Sequence, residues 1–353
     1  MKSNYKTIGD LVERVDIKNT DGKVENLIGV SIEKRFIPSV ANTIGTDLTK
    51  YKIIKKDEFA VSLMQVSRDA KIPIACLKEY EAAIMSPAYS IFKVKDTSIV
   101  LPDYLDLWFK RSEFDREAAF IAVGGVRGSM PFEEFSRIKV LVPPIEEQLA
   151  IVNSYKVITD RIELKKQINN NLEATAQAIY KEMFINSEHH WADGTLSQLL
   201  SVKYGKDHKH LADGDIPLYG SGGIMRYVEK SLYDKVSVLI PRKGTLSNIM
   251  YVDEPFWSVD TMFYTEIFNP HSAKFIYYFV KSKDLAGMDT GSAVPSMSSE
   301  IIHSMQLSIP DDETLLEFDN KLNPIYEQMK INNKECQALI NLQNVLLQTL
   351  SSH

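Results

Sequence analysis

Cysteine is almost absent from this chain: its 353 residues hold two, Cys76 and Cys336. One pair excludes a disulfide framework and a cysteine-rich zinc site, and points to a reducing cytoplasm. Long apolar runs are missing too. No stretch of ~18 apolar residues occurs, and the opening "MKSNYKTIGDLVERV" lacks the apolar centre of a secretory leader, so neither a membrane span nor a signal peptide is expected. Nor is there excess positive charge. Against 41 Lys and Arg stand 47 Asp and Glu, a net charge of −6, which excludes a protein coated in basic groups but not one with a local basic face. The phosphate loop G-x-x-x-x-G-K-[ST] is absent. The glycine-rich stretches "YGSGG" and "VGGVRG" lack the strand–turn–helix context of a dinucleotide site and read as loops. His189, His190, His208 and His210 have no companion ligands at metal spacing and read as solvated loop histidines. No cofactor and no metal are therefore expected on this chain. What remains, 44% hydrophobic and 25% charged residues, suits an ordinary globular protein long enough for two cores.

The chain has an internal repeat at an offset of 167 residues. Gly124 meets Gly291, Ser129 meets Ser296 and Met130 meets Met297; "IKVLVP" (138–143) then meets "MQLSIP" (305–310). Without a gap, Glu146 meets Glu313, Leu149 meets Leu316, Ile158 meets Ile325, Leu172 meets Leu339 and Ile179 meets Leu346. Both copies alternate apolar and polar residues over five positions, as a half-buried strand does. Proline then ends the strand and opens a helix, where its fixed φ and missing N–H do no harm. Acidic pairs, Glu146-Glu147 and Asp312-Glu313, fall in the first turn, where negative charge favours the helix dipole.

Each copy continues as a long helix. In the second, Leu315, Phe318, Leu322, Ile325, Met329, Cys336, Leu339, Leu342, Leu346 and Leu350 step by threes and fours, a heptad seam with one polar slot at Asn332. The first runs through Ile145, Leu149, Val152, Ile158, Ile162, Ile168, Leu172, Ile179 and Met183, with its polar slot at Lys165. If the two helices pack antiparallel, these slots face each other on a pseudo-twofold axis and fix register; two solvated positions on imperfect seams explain them equally well. Asn323-Pro324 predicts a kink, or a restart with Asn323 as N-cap.

The remaining segments lack helical periodicity over most of their length. Strands are expected at "EFAVSLM", "IPIACL", "AAIMS" and "YSIFKV" in the first half, with a helix around "LPDYLDLWFKRSEF". In the second they fall at "VSVLIP", "SNIMYV" and "TMFYTEIF", with a helix around "AKFIYYFVKSK". The fold class is thus α+β: strand-rich heads at 1–142 and 187–309, and helices at 143–186 and 310–353. The two helices pair antiparallel as a coiled-coil spacer.

This order resembles the specificity subunit of type I restriction-modification systems over essentially the whole chain. "LVPPIEEQLAIV" looks like that family's entry to its first spacer helix. "DIPLYGSGGIMRYVEKSLYD…VSVLIPRKGTLSNIMYVDEPFWSVDTMFY" looks like one class of its second recognition domain, and "LIGVSIEKRFIPSVAN…YKIIKKDEFAVSLMQVSRDAKIPIA…SPAYSIF" like a class of its first. "IPDDETLLEF" departs from the pattern, lacking the double proline and the Glu-Gln pair of the first copy. The resemblance implies a non-catalytic reader of double-stranded DNA, each head taking one half of a split site. Two methyltransferase subunits would dock on it, with restriction and translocase subunits in the full complex, and S-adenosylmethionine and ATP would bind those partners only. No membrane is involved.

DNA-contacting candidates follow from charge and position. Arg68 in "QVSRDAK" and Arg242-Lys243 in "IPRKGT" sit between two strands of each half, and arginine can grip guanine in a bidentate manner. Lys203, Lys206 and Lys209 in "KYGKDHKH" and Lys50 and Lys52 in "KYKIIKK" interleave with aromatics, as phosphate contacts do. Arg127 and Arg226 are expected on glycine-flexed loops able to approach the groove, and Gln65, Ser221 and Asn248 are polar loop residues able to read base edges. For each, an ordinary surface role is the competing reading. Three other functions stay in view: a coiled-coil scaffold with protein-binding heads, a silent specificity cassette, and a duplicated hydrolase or nuclease. The last should show matching acidic or histidine clusters in both heads, and none is present in the sequence.

Overall fold

The computed structural model describes residues 4–39, 46–64, 66–124, 128–288 and 296–350. The chain is α+β and forms two compact units, one of residues 1–165 with 335–353, the other of residues 166–334.

In the first unit, β1 (Tyr5–Thr7) enters a one-turn helix, α1 (Ile8–Leu11), through a capping box. The Thr7 hydroxyl accepts the Asp10 N–H at 3.2 Å, and the Asp10 carboxylate accepts the Thr7 N–H at 3.1 Å, satisfying two end donors at once. Four antiparallel strands, β2 (Val12–Val15), β7 (Phe59–Val61), β8 (Ile74–Cys76) and β10 (Ser90–Val94), make a sheet in the order β2-β10-β7-β8. Beside it lie the sheet of β3 (Ile17–Lys18), β6 (Lys52–Lys55) and β9 (Ala82–Met85) and the hairpin of β4 (Ile28–Val30) and β5 (Phe36–Pro38). One turn of helix, α2 (Val66–Asp69), interrupts the β7–β8 connection. Helices α3 (Pro102–Phe109), α4 (Ser112–Ile121) and α5 (Phe132–Arg137) then cover the main sheet, and β11 (Lys139–Leu141) pairs antiparallel with β1. Phe59, Phe92, Phe109, Phe114 and Phe135 are fully buried between sheet and helices.

Pro143-Pro144 ends β11, and α6 (Ile145–Phe184) follows; the Pro144 carbonyl accepts the N–H groups of Glu147 and Gln148. Here the seam differs from expectation. Leu149 is 44% exposed, while Gln148 is fully buried. Gln148 accepts the Leu101 N–H and donates to the carbonyls of Ile99 and Pro143, all at 2.8–2.9 Å. Three backbone groups satisfied by one amide outweigh a leucine contact, because each would otherwise be buried unpaired.

The second unit repeats this plan. β12 (Ala192–Thr195) pairs with the later strand β20 (Gln306–Ile309), as β1 does with β11. Thr195 and Gln198 close a capping box at the place of Thr7 and Asp10. β13 (Leu200–Tyr204), β16 (Ser237–Pro241), β17 (Met250–Val252) and β19 (Met262–Ile267) form a sheet in the order β13-β19-β16-β17, the order of the first unit. What differs is the second sheet, built from the hairpin of β14 (Asp213–Gly220) and β15 (Gly223–Val228) with the short parallel strand β18 (Trp257–Ser258). Helices α7 (Ala273–Lys281) and α8 (Ser299–His303) pack on the main sheet. α9 (Asp312–Thr349) passes through Pro324 as one helix, so no restart occurs. Asn323 is not a cap; its side-chain oxygen accepts from the Lys274 ammonium at 2.7 Å.

Within each unit the stretches of α6 and α9 run antiparallel. In the first, Leu347 and Leu350 pack near Ile151, Val152 and Tyr155, and the Gln343 amide donates to the Thr159 hydroxyl at 2.7 Å. Leu342, expected on the seam, is 51% exposed, and Leu347 is buried instead. In the second unit Phe184 stacks edge-on against Phe318 at 4.9 Å. The polar slots carry polar contacts of their own: Lys165 lies 2.9 Å from Glu335, and the Asn332 amide donates to Asn169 at 2.8 Å. Among the described residues, no helix is long and apolar enough to cross a membrane.

Candidate nucleic-acid interface

Register places the loops of the second unit. Tyr204, at the end of β13, pairs with Phe263, and Pro241, at the end of β16, pairs with Met262. The connections 205–212, 242–249 and 259–261 therefore leave the same end of the sheet. Leu200 and Ile267, at the other end, lie toward β12 and β20.

These loops are tied to one another by main-chain contacts. Gly205 donates to the Met262 carbonyl at 3.0 Å, and Lys206 to the Ser258 carbonyl at 2.9 Å. The Trp257 indole N–H donates to the Lys206 carbonyl at 3.1 Å. A Cβ at residue 205 would fall 2.0 Å from the Val259 carbonyl oxygen, so the close approach requires glycine. Asn248 donates from its amide to the Ser221 carbonyl at 2.8 Å, joining the β16–β17 connection to the β14–β15 turn. Asn248 and Ser221 thus brace the loops through these groups.

Arg242 is held on three sides. Its N–H donates to the Thr261 carbonyl at 2.9 Å, and one guanidinium nitrogen donates to the Asp260 carbonyl at 3.1 Å. Its guanidinium lies 5.4 Å over the ring of Tyr204, which is 52% exposed. This arrangement anchors the guanidinium at the loop end of the sheet. The side chains of Lys206, Lys209 and Lys243 are exposed and make no ion pair or hydrogen bond among the described residues. A cation at such a loop end is available to phosphate.

Other candidates are engaged within the protein. Arg226 lies on β15, not on a loop. It pairs with Asp213 at 2.9 Å and donates to the carbonyls of His208 and Leu211, so it braces the 207–212 loop. Lys203 sits 3.3 Å from Glu266 across the sheet. Lys52 donates to the Tyr89 carbonyl at 3.0 Å and lies 3.4 Å from Asp16, and Lys50 lies 3.5 Å from Asp47. His208, expected as a solvated loop histidine, is instead half-buried, with a shielded Nδ1 that has no partner among the described residues.

In the first unit the β7–β8 connection stands where β16–β17 stands in the second, as the matching sheet orders show. Arg68 is on α2 within that connection, the counterpart of the segment bearing Arg242 and Lys243. Gln65 and Arg127 lie outside the described residues. Beside the connection, a groove of about 420 Å³ is lined by Met64 and Ser62 with Tyr51, Tyr89 and the β4–β5 hairpin.

Comparison with known proteins adds a family to this geometry. The family model for the type I restriction modification DNA specificity domain matches twice, over residues 6–174 and 188–340. The HindI type I restriction enzyme specificity subunit of Haemophilus influenzae is 32% identical over 93 residues, covering 26% of this chain and 20% of that protein. The chain thus spans about a fifth of that relative's length. The MjaIX specificity subunit of Methanocaldococcus jannaschii is 20% identical over 71% of this chain and 68% of its own. The crystal structure of a type I restriction-modification system S subunit from M. genitalium superposes with a TM-score of 0.58, at 17% identity, over 98% of this chain and 95% of that one, a likeness of fold.

Proposed function

Because this chain belongs to the type I restriction modification DNA specificity domain family, we propose that each of its units reads one half of a split site in duplex DNA. The observation that carries this reading is the duplicated sheet with a cation-bearing connection at the same place: Arg68 between β7 and β8, Arg242 and Lys243 between β16 and β17. Arg242 contacts a base edge, with guanine O6 and N7 the natural bidentate acceptors, worth ~1–3 kcal/mol of discrimination. Lys206, Lys209 and Lys243 hold phosphates and supply affinity without sequence information. The long helices set the gap between the half-sites.

On this reading the chain performs no chemistry and needs no cofactor. Two methyltransferase subunits dock on it and flip an adenine out of the stack, since its reacting nitrogen is inaccessible within the duplex. They hold S-adenosylmethionine, and ATP belongs to the translocase subunits of the full complex. The test is to reconstitute the chain with its methyltransferase subunit and map methylated sequences at several salt concentrations. Arg242→Ala should relax one position of the recognised sequence. Lys206→Ala should weaken binding evenly and lower the salt slope by about 1. Unchanged sequence and slope in both variants would place the DNA face elsewhere.

A further inference from the structure

One backbone hydrogen bond occurs in both units and fixes which loop residues are equivalent. In the second unit the Met297 N–H donates to the Arg242 carbonyl at 2.9 Å; in the first, the Met130 N–H donates to the Leu63 carbonyl at 2.9 Å. Met130 and Met297 are counterparts in the repeat, so Leu63 stands where Arg242 stands, and Met64 where Lys243 does. The cores agree with this pairing. Counted back from these residues, Val61 and Phe59 match Ile240 and Val238, and all four are fully buried. At this loop end the first unit therefore has two apolar side chains in place of a guanidinium and an ammonium. Arg68 comes later in the same connection, on α2.

More apolar surface gathers there. The turn of helix at Ala122–Gly124, which follows α4, packs against α2, and the Asp115 carboxylate of α4 accepts the Ile72 N–H at 3.1 Å. These contacts bring Phe120 and Val123 beside the β7–β8 connection. At 81% and 73% they are the most exposed large apolar side chains among the described residues, and Met64 is 56% exposed. Met64 also lines the groove beside that connection, with Ile37 and Pro38. In the second unit Gly287 and Thr290 hold the places of Phe120 and Val123 in the repeat, so this surface belongs to the first alone. One exposed apolar residue is ordinary. Three around one connection, where the other unit sets its cations, mark a contact surface.

On the base edges of the major groove the apolar group is the C5-methyl of thymine; the other features are hydrogen-bond donors and acceptors. Resting on the DNA reading proposed above, we infer that the first unit reads thymine methyl groups through Met64, Phe120 and Val123. The second unit, with its cations, reads hydrogen-bonding edges and phosphates. The two half-sites are thus recognised by different chemistry on one duplicated frame.

The test replaces thymine by deoxyuridine, which keeps every hydrogen-bonding group of the base and removes only the methyl. The full chain, complexed with its methyltransferase subunit, is titrated with duplexes of the recognised sequence that carry deoxyuridine throughout one half-site at a time. One half-site should bind roughly fourfold more weakly for each methyl that is met, and the other should change little. In the triple variant Met64→Ser, Phe120→Ser, Val123→Ser, thymine and deoxyuridine in the sensitive half-site should bind alike. All three residues are exposed, so the variant should melt as the wild type does, which separates lost reading from lost folding. A wild type indifferent to deoxyuridine in both half-sites would overturn the inference. So would a sensitivity that the triple variant keeps, which would assign the methyl contact to other residues. A wild-type complex with no sequence preference at all would instead overturn the function on which the inference rests.

Discussion

Gly205 and Lys274 show how much single positions hold. At residue 205 a methyl group would press on the Val259 carbonyl 2.0 Å away. Gly205→Ala should therefore displace the loop carrying Lys206 and destabilise the second unit by ~1–3 kcal/mol, read as a lower denaturant midpoint together with weakened DNA binding. Lys274 is 3% exposed and joins α7 to α9, lying 2.5 Å from Asp319, which also meets His271 at 2.9 Å. Asp319→Ala strands a buried ammonium and should cost ~3–5 kcal/mol, whereas Lys274→Met with Asp319→Leu should recover most of it. Equal losses in the single and double variants would show that the pair itself, not burial of an unpaired charge, stabilises the joint. At this scale the place of Arg242, between β16 and β17, was legible from the apolar runs on either side. The bracing role of Arg226 was not, because its acceptors are main-chain carbonyls 15 and 18 residues away, brought near by a hairpin.

Among the elements, the helix pair of the first unit is tied by Glu335. Its carboxylate accepts from Arg161 at 2.6 Å and lies 2.9 Å from Lys165. The Lys165 hydrogen bond first, and Arg161 with it, hold its pKa below the ordinary carboxylate range. A carboxyl whose folded pKa is depressed stabilises the fold above its unfolded pKa and loses that contribution as pH falls through the folded value. Glu335→Gln should therefore lower the denaturant midpoint at neutral pH and approach the wild type as the pH falls through the depressed pKa of Glu335. A gap of constant size across that range would remove Glu335 from the account. The lengths of the long helices and the strands with apolar runs of their own, such as "VSVLIP" and "YSIFKV", were readable in advance; β1 to β6, β12 to β15 and β18 were not. Which residue of a first turn faces inward was not, because Gln148 displaces Leu149 only through carbonyl and N–H groups near residue 100. The β14–β15 hairpin was missed for a related reason: Pro217 and the glycines around its turn mask its alternation.

For the whole molecule, the two-copy architecture was the most legible feature, because matched cores leave matched spacing. The divergent second sheets left no such trace. α6 is 40 residues long and passes from one unit into the other. Four residues added to each helix lengthen it by ~6 Å, close to two base pairs at ~3.4 Å of rise. The gap in the methylated sequence should widen by about that much; an unchanged gap would show that the helices do not set it.

The division of the chain also bears on how it is made. The second unit is one continuous stretch, residues 166–334, while the core of the first includes Leu347 and Leu350 from the last few residues. A ribosome that has finished the first head must therefore add nearly all the rest before that core can close. At ~5–20 residues per second this is a wait of roughly 10–40 s. The later-made unit is complete first, and the earlier one waits for Leu347 and Leu350 to return to it.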